Sequence, residues 1–310
     1  MEISILITGA SGFVGRTLAE ELKDDFDLML TTRTDGNLKP GRVHLDLSNL
    51  ENLSAMFDGV DTVVHTAALV HQMNAAQAPS REDYFSLNTY ATVRLAEAAS
   101  EMGVKHFIFI SSVKVNGEGG LMHKPYKHSD PVEPEGDYAE SKAEAERLLM
   151  ELAERTELTV SIIRPPLVYG PGVKANFATL MKLSKFLPVF PAGLESGKRS
   201  LVSIWNLCDL IKTLINFEPK KSAVYLVSDD SDCCTYELLQ FMATGHKRNI
   251  VGLPIPLLFL RIALTLIGKR PTYLKVFGSL QVDIEHTKSE LNWRPLHDTK
   301  GGISKLVALA

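Results

Sequence analysis

Tyr138 and Lys142 stand four residues apart, downstream of Ser111 and Ser112 at the end of an apolar run. On a helix, residues i and i+4 share a face, so a phenol and an ammonium would sit side by side. A phenol is a poor base at neutral pH because its pKa is about 10. A neighbouring ammonium favours the phenolate and lowers that value. A serine hydroxyl beside the pair can orient a substrate oxygen and share its proton. Ser112, Tyr138 and Lys142 therefore read as a group that moves a proton at an alcohol or a ketone.

A second constellation lies at the start of the chain. Gly9, Gly12 and Gly15 follow the apolar run Ile3–Ile7 and precede a helical pattern. A strand, a glycine turn and a helix in that order grip a dinucleotide. Gly9 allows the tight turn, Gly12 admits the pyrophosphate, and Gly15 lets the helix pack on the sheet. Ser11, Phe13 and Val14 complete the turn, whose helix N-terminus faces the phosphates. The next strand is tipped by Thr31, Thr32 and Arg33, with no acid to bind a ribose 2′-hydroxyl. Arginine is a forked, permanently charged donor suited to a 2′-phosphate. The expected cofactor is NADP(H), with NAD(H) the alternative. Arg16 is expected at the same corner, and Asp46 and Leu47 beside the adenine. The Tyr138 group would then move a proton beside a nicotinamide, which points to hydride transfer.

These residues need a scaffold. Strand-like runs fall at Ile3–Ile7, Phe26–Thr31, Arg42–Leu45, Asp61–His65, Lys105–Ser111 and Thr159–Arg164. Helix-like runs separate them at 15–22, from Ser48 as a cap through Phe57, at Tyr84–Met102 and at Tyr138–Arg155. Leu87, Ala91, Leu95 and Ala98 form the expected inner face of the third. Repeated β-α with short connections predicts an α/β fold, a Rossmann doubly wound parallel sheet with helices on both faces. The loop from Asn116 to Asp137 is long, as functional loops often are. Beyond Arg164, prolines and glycines break the pattern, but Ile204–Phe217 reads as a helix and Val224–Ser228 as an edge strand. Residues 1–168 with about 201–229 form the expected dinucleotide domain. About 169–200 with 230–310 form a smaller interleaved substrate domain.

The chain has 310 residues and a net charge of −4, which favours neither nucleic acid nor an anionic surface as partner. Its three cysteines, Cys208, Cys233 and Cys234, form no CxxC pair, and a reducing, cytoplasmic setting is expected, with no metal. Leu253–Ile267 is nearly all apolar, but it is too short to span a bilayer and contains Pro254, Pro256 and Arg261. It reads as a buried or interfacial helix, and no integral membrane segment is expected.

Taken together, the motifs resemble those of the extended short-chain dehydrogenase/reductases, in the NAD(P)-dependent sugar-nucleotide epimerase/dehydratase group. The carriers are the 8–15 glycine turn, His65-Thr66-Ala67-Ala68, Asn88, Ser111-Ser112, Tyr138-x-x-x-Lys142, the 164–172 Arg-Pro-Pro run and Leu291-Asn292-Trp293-Arg294-Pro295. The resemblance implies that Ser112, Tyr138 and Lys142 are the catalytic triad. It places Thr66, Ala67, Ala68, Asn88 and Pro165 near the cofactor. It also places Lys114, Asn116, Asn176, Phe177, Arg199 and Arg270 near a nucleotide-sugar substrate, and it implies a homodimer through the 84–102 and 138–155 helices.

The dehydratases of the group carry an Asp-Glu pair just after the catalytic serine, where this chain has Val113 and Lys114. Dehydration is therefore rejected. Net reduction of a UDP-linked 4-ketosugar, in surface polysaccharide biosynthesis, is the expected reaction. Arg33 favours NADPH, and the segments after Ser111 and Arg164 resemble the subgroup that makes UDP-N-acetylquinovosamine. The family's usual tyrosine is Asn116 here. The alternative is 4-epimerisation of UDP-glucose or UDP-N-acetylglucosamine. A more distant one is a non-catalytic NADP sensor, disfavoured because serine, tyrosine and lysine are all present.

Overall fold

A computed structural model describes residues 3–33, 41–50, 53–70, 78–120, 124–173, 175–192, 197–217, 219, 221–266, 268 and 270–309. The chain opens with β1 (Ser4–Thr8), α1 (Phe13–Leu22), β2 (Asp27–Thr32), β3 (Arg42–His44) and β4 (Thr62–His65). It continues through α2 (Arg81–Tyr84), α3 (Ala91–Glu101), β5 (His106–Ile110), α4 (Asp137–Arg155) and β6 (Thr159–Arg164). Next come β7 (Leu167–Tyr169), α5 (Ala175–Ser184), β8 (Val189–Pro191), β9 (Leu201–Ser203), α6 (Ile204–Phe217) and β10 (Ala223–Leu226). The last elements are α7 (Thr235–Gly245), β11 (Val251–Leu253), α8 (Leu257–Leu266), α9 (Arg270–Phe277), α10 (Glu285–Leu291) and α11 (Thr299–Ala308).

Seven parallel strands form one sheet in the order β10-β6-β5-β4-β1-β2-β3. This is the expected doubly wound α/β fold, with the order reversing beside β1. The middles of its central strands are runs of apolar residues because helices cover both faces. Ile5, Leu6 and Ile7 are fully buried, as are Phe107, Ile108 and Phe109. Each such side chain contributes about 1.5–3 kcal/mol by leaving water. The expected edge strand is present: β10 pairs with β6, Leu226 opposite Arg164.

Two smaller parallel sheets, β7 with β9 and β8 with β11, stand outside the main one. The long 116–137 loop is laced to the C-terminal region. The Tyr126 amide donates to the Gln281 carbonyl at 2.8 Å, and the Asp283 amide donates to the Tyr126 carbonyl at 2.8 Å.

Local departures from the sequence reading have physical causes. The Tyr84–Met102 helix is not uniform: α2 begins with a capping box between Ser80 and Asp83, a π-helical turn spans Phe85–Tyr90, and α3 follows. The wider turn shifts the register, so Thr92, Ala96 and Ala99 are buried with Ala91 and Leu95, while Leu87 and Ala98 are only partly so. Ser48 caps no helix; its amide and hydroxyl both donate to Asp46, at 2.9 and 2.7 Å. The buried or interfacial helix expected within 253–267 is α8, which begins at Leu257 after β11 ends at Leu253, and it is not buried: it exposes Leu258, Ile262 and Leu266.

Candidate active site

The glycine turn is built by steric necessity. Gly9 sits at φ +71°, and a Cβ there would lie 2.7 Å from the Ala67 nitrogen. A Cβ at Gly15 would lie 2.4 Å from the Gly9 carbonyl oxygen. The first position needs the left-handed region that favours glycine, and the second needs close backbone approach. Gly12 is the N-cap of α1 and offers no side chain to the first amides of the helix. Those amides are left for a ligand, as at an anion-binding helix N-terminus.

Gly9, Ser11 and Gly12 form one wall of a cavity of about 330 Å³ at the carboxyl ends of β1, β2 and β4. Thr32, Arg33, Asp46 and Leu47 line it at one side, and Thr66, Ala67 and Ala68 at the other. Thr31, Leu45, Ser48, Leu69 and Leu87 also reach it; the sequence marks Thr31 only as the strand tip, Ser48 as a cap and Leu87 as a helix face, and none of the five as a cofactor contact. Leu45 and Ser48 flank the chosen Asp46 and Leu47, so proximity alone would have found them. A glycine cradle, an uncapped helix start and a mostly apolar wall edged by Thr32, Arg33 and Asp46 together fit a dinucleotide.

Phe13 and Val14 lie outside the lining. The Phe13 ring is 3.6 Å from where a Cβ on Gly170 would lie, and Val14 packs against the core. Arg16 is not at the Arg33 corner. Its Nη2 lies beside Gly172, where a Cβ would come within 3.0 Å of it, because the first turn of α1 points the side chain toward the loop after β7.

Asn88 stands behind the cavity wall, fully buried in the π-helical turn. Its Oδ1 accepts from the Leu69 amide at 2.7 Å, and its Nδ2 donates to the Leu69 carbonyl at 3.0 Å and to Ser141 at 3.1 Å. It fixes the loop after β4 to α4 and so acts through Leu69. His65, at the end of β4, is buried between Phe107 and Phe109 and bonded to Thr8 and Thr92. Burial pushes its pKa down to about 3.

The proton-transfer group stands past the end of β5. Ser112 caps the short turn Val113–Val115, accepting from the Lys114 amide at 3.2 Å. It is near enough to Tyr138, on the first turn of α4, to pull the pKa of the phenol downward. Tyr84 meets the Tyr138 ring edge-on, with centroids 6.2 Å apart. Burial, with Tyr84 adding to it, pushes the Tyr138 pKa up to about 12, against the pull of Ser112. Lys142, one turn along α4, is buried, donates to the Ile110 carbonyl at 2.9 Å and lies over the Phe109 ring. Burial lowers its pKa to about 7, although Glu146 pulls it upward. The expected lowering of the Tyr138 pKa by Lys142 is therefore not met in this arrangement. The ammonium is directed at the end of β5, and desolvation of the phenol prevails.

Ser111, in contrast, faces a buried network that the sequence reading missed. Its hydroxyl donates to Glu146, and Arg164 binds the same carboxylate through Nε at 3.0 Å and through Nη2 at 2.5 Å. Arg164 Nη1 donates to Asn116 Oδ1 at 3.1 Å. The usable signal was Glu146 at i+4 from Lys142, on the same face of α4.

The expected substrate residues are scattered. Lys114 is exposed and paired with Glu118 at 2.6 Å. Asn116 is 1% exposed, held by Arg164, and its Nδ2 has no partner. Phe177 is buried and stacked on Tyr169, with centroids 5.3 Å apart. Arg199 donates to the carbonyls of Leu274 at 2.6 Å and Gly278 at 3.0 Å, closing the C-terminal end of α9. Pro165 is buried, and its carbonyl accepts from the Val113 amide at 3.0 Å. The side chains of Asn176 and Arg270 lie outside the described residues.

The model of a family described as "NAD dependent epimerase/dehydratase family" matches residues 5–225. A Vibrio cholerae protein named UDP-glucose 4-epimerase is 42% identical, over 98% of this chain and 94% of its own. The fold is shared with UDP-N-acetylglucosamine 4-epimerase from Bacillus cereus, at a TM-score of 0.77 and 16% identity over 99% of this chain and 96% of that one. It is also shared with the Bordetella bronchiseptica enzyme WbmG in complex with NAD, at a TM-score of 0.75 and 19% identity over 99% and 94%.

Proposed function

This chain belongs to the NAD dependent epimerase/dehydratase family, and on that premise we propose that it is a UDP-hexose 4-epimerase. The observation that carries the reading is the convergence of Ser112, Tyr138 and Lys142 at the end of β5: Ser112 bears on the phenol, and Lys142, one turn along the same helix, is buried against the Ile110 carbonyl. The name of the Vibrio cholerae relative supports glucose as the sugar.

Held by the Gly9–Gly15 turn and the cavity beside it, NAD would supply reversible hydride chemistry at C4 of the sugar, with inversion when the hydride returns to the opposite face of the 4-keto carbon. Tyr138 accepts the proton of the C4 hydroxyl in the first half-reaction and gives it back in the second. Ser112 holds the C4 oxygen and the phenol in line. Lys142, buried at the Ile110 carbonyl, would serve as a donor toward the cofactor ribose. Val113 is buried and Lys114 is a cation paired with Glu118, so the pair of acids that water loss needs is not at these positions.

A second reading, NADPH-dependent reduction of a 4-ketosugar, is favoured by Arg33 on the cavity wall. Residues 1–168 with about 201–229 serve as the dinucleotide domain in either case, and β10 beside β6 supports that division. A homodimer through α3 and α4 belongs to the same reading, supported by the exposure of Tyr90 and Met102 at the two ends of α3.

Incubation with UDP-glucose or UDP-N-acetylglucosamine and NAD, followed by proton NMR, tests the reading. Appearance of the C4 epimer without net change in reduced-cofactor absorbance is expected. Stoichiometric NADPH oxidation with UDP-4-keto-6-deoxy-N-acetylglucosamine, and no epimer, would give the reaction to the second reading. Cofactor binding without turnover of either sugar would leave only a sensor.

A further inference from the structure

Two segments, residues 173–194 and 238–282, carry nine Lys or Arg and no Asp or Glu, in a chain of net charge −4. The fold brings them together. Val189 pairs with Val251 and Pro191 with Leu253 in the β8–β11 sheet, and Arg248 donates to the Lys185 carbonyl at 2.6 Å. Phe190 reaches the Phe277 ring of α9, with centroids 6.1 Å apart.

The same segments hold nine of the seventeen exposed large apolar side chains among the described residues. Phe186 is 77% exposed and Leu266 is 81% exposed. Leu258, Ile262 and Leu266 are spaced by four along α8 and form one exposed stripe, while Leu260 turns inward against the Tyr273–Phe277 cluster. Lys182, Lys185, Lys247, Arg248 and Arg261 are exposed on these same segments.

We propose that this basic, apolar face of the substrate lobe docks on an anionic phospholipid surface, with Phe186 and the α8 stripe entering the headgroup boundary. A short amphipathic helix with cations beside its apolar face lies in such a boundary and does not cross it. Among the described residues, no helix is long and apolar enough to cross a membrane. Each Lys or Arg near an anionic bilayer adds to the attraction. A second copy of this chain is the poorer occupant, since a two-fold interface would set this cationic face against itself.

Co-sedimentation of the full chain with vesicles tests this. One set is phosphatidylcholine alone and the other contains phosphatidylglycerol. Binding to the second set is expected, falling as salt rises. Lys185→Glu with Arg261→Glu should weaken it by about tenfold or more. Phe186→Ser with Leu266→Ser should weaken it while leaving turnover of a soluble UDP-sugar unchanged, which also reports that the variant is folded. No sedimentation with phosphatidylglycerol at low salt would overturn the proposal. So would equal binding by all variants, or a concentration-dependent dimer that only the Phe186→Ser, Leu266→Ser variant loses.

Discussion

The Lys142 ammonium donates to the carbonyl of Ile110 at 2.9 Å, tying the buried cation on α4 to the last residue of β5. The cation lies 4.3 Å from the centre of the Phe109 ring and feels Glu146 one turn further on. Burial brings its pKa down to about 7, from an ordinary value near 10.5. A charge held there is costly to the fold and is kept for chemistry. Lys142→Met should therefore lower kcat by about 100-fold or more while raising folding stability at neutral pH by ~1–2 kcal/mol. Steady-state kinetics and urea unfolding check the two halves. A variant that is less stable, or that keeps its kcat, would contradict this role.

Asn88 touches both the amide and the carbonyl of Leu69 and also reaches Ser141. Asn88→Ala leaves these groups unpaired in a buried place. About tenfold weaker NAD binding is expected, at roughly one net hydrogen bond of free energy, with a smaller change in kcat. Cofactor titration by fluorescence measures it. A fall in kcat with unchanged cofactor affinity would instead place Asn88 in the proton path.

Arg33 is exposed on the cavity wall beside Thr32. If it meets a 2′-phosphate, Arg33→Ala weakens NADPH by about tenfold or more and leaves NADH nearly unchanged. Equal loss for both cofactors, or none, would remove the argument for the reductase reading.

Two buried histidines set the acid limit of stability. Burial lowers the pKa of His65 to about 3 and that of His106 to about 4, from an ordinary 6.5. Below pH ~6.5 the unfolded chain takes up protons that the folded chain refuses. Their contribution is therefore fully present above that value and is lost as pH falls toward 4. Each adds up to about 1.4 kcal/mol per pH unit to the slope. Urea midpoints from about pH 7 to about pH 5 should fall accordingly, and His106→Asn should make the fall shallower. A flat profile would mean that these rings are charged in the fold.

What was legible in the sequence was local. The glycine turn could be read because Gly9 and Gly15 obey backbone sterics that the two equal spacings around Gly12 reveal, and Tyr138 and Lys142 because one helical turn relates them. Arg16 could not be placed, since its direction depends on how α1 meets the loop at Gly172. The inner face expected from Leu87, Ala91, Leu95 and Ala98 assumed a 3.6 period that the π-helical turn at Phe85–Tyr90 interrupts. Glu146, Arg164 and Ser111 meet only once β5, α4 and β6 are packed. Arg199 looked like a diphosphate clamp by type, yet two of its donors go to carbonyls near the end of α9, a contact made across most of the C-terminal third.

The central claim is that Tyr138 cycles one proton while one hydride leaves and rejoins C4. UDP-glucose deuterated at C4 tests it most directly, followed by NMR and mass spectrometry of the product. The account predicts UDP-galactose with the deuterium kept at C4, and no product from Tyr138→Phe although that variant still binds NAD. Loss of the deuterium to solvent, its net transfer to the cofactor, or turnover by Tyr138→Phe at a rate near that of the parent protein would contradict it.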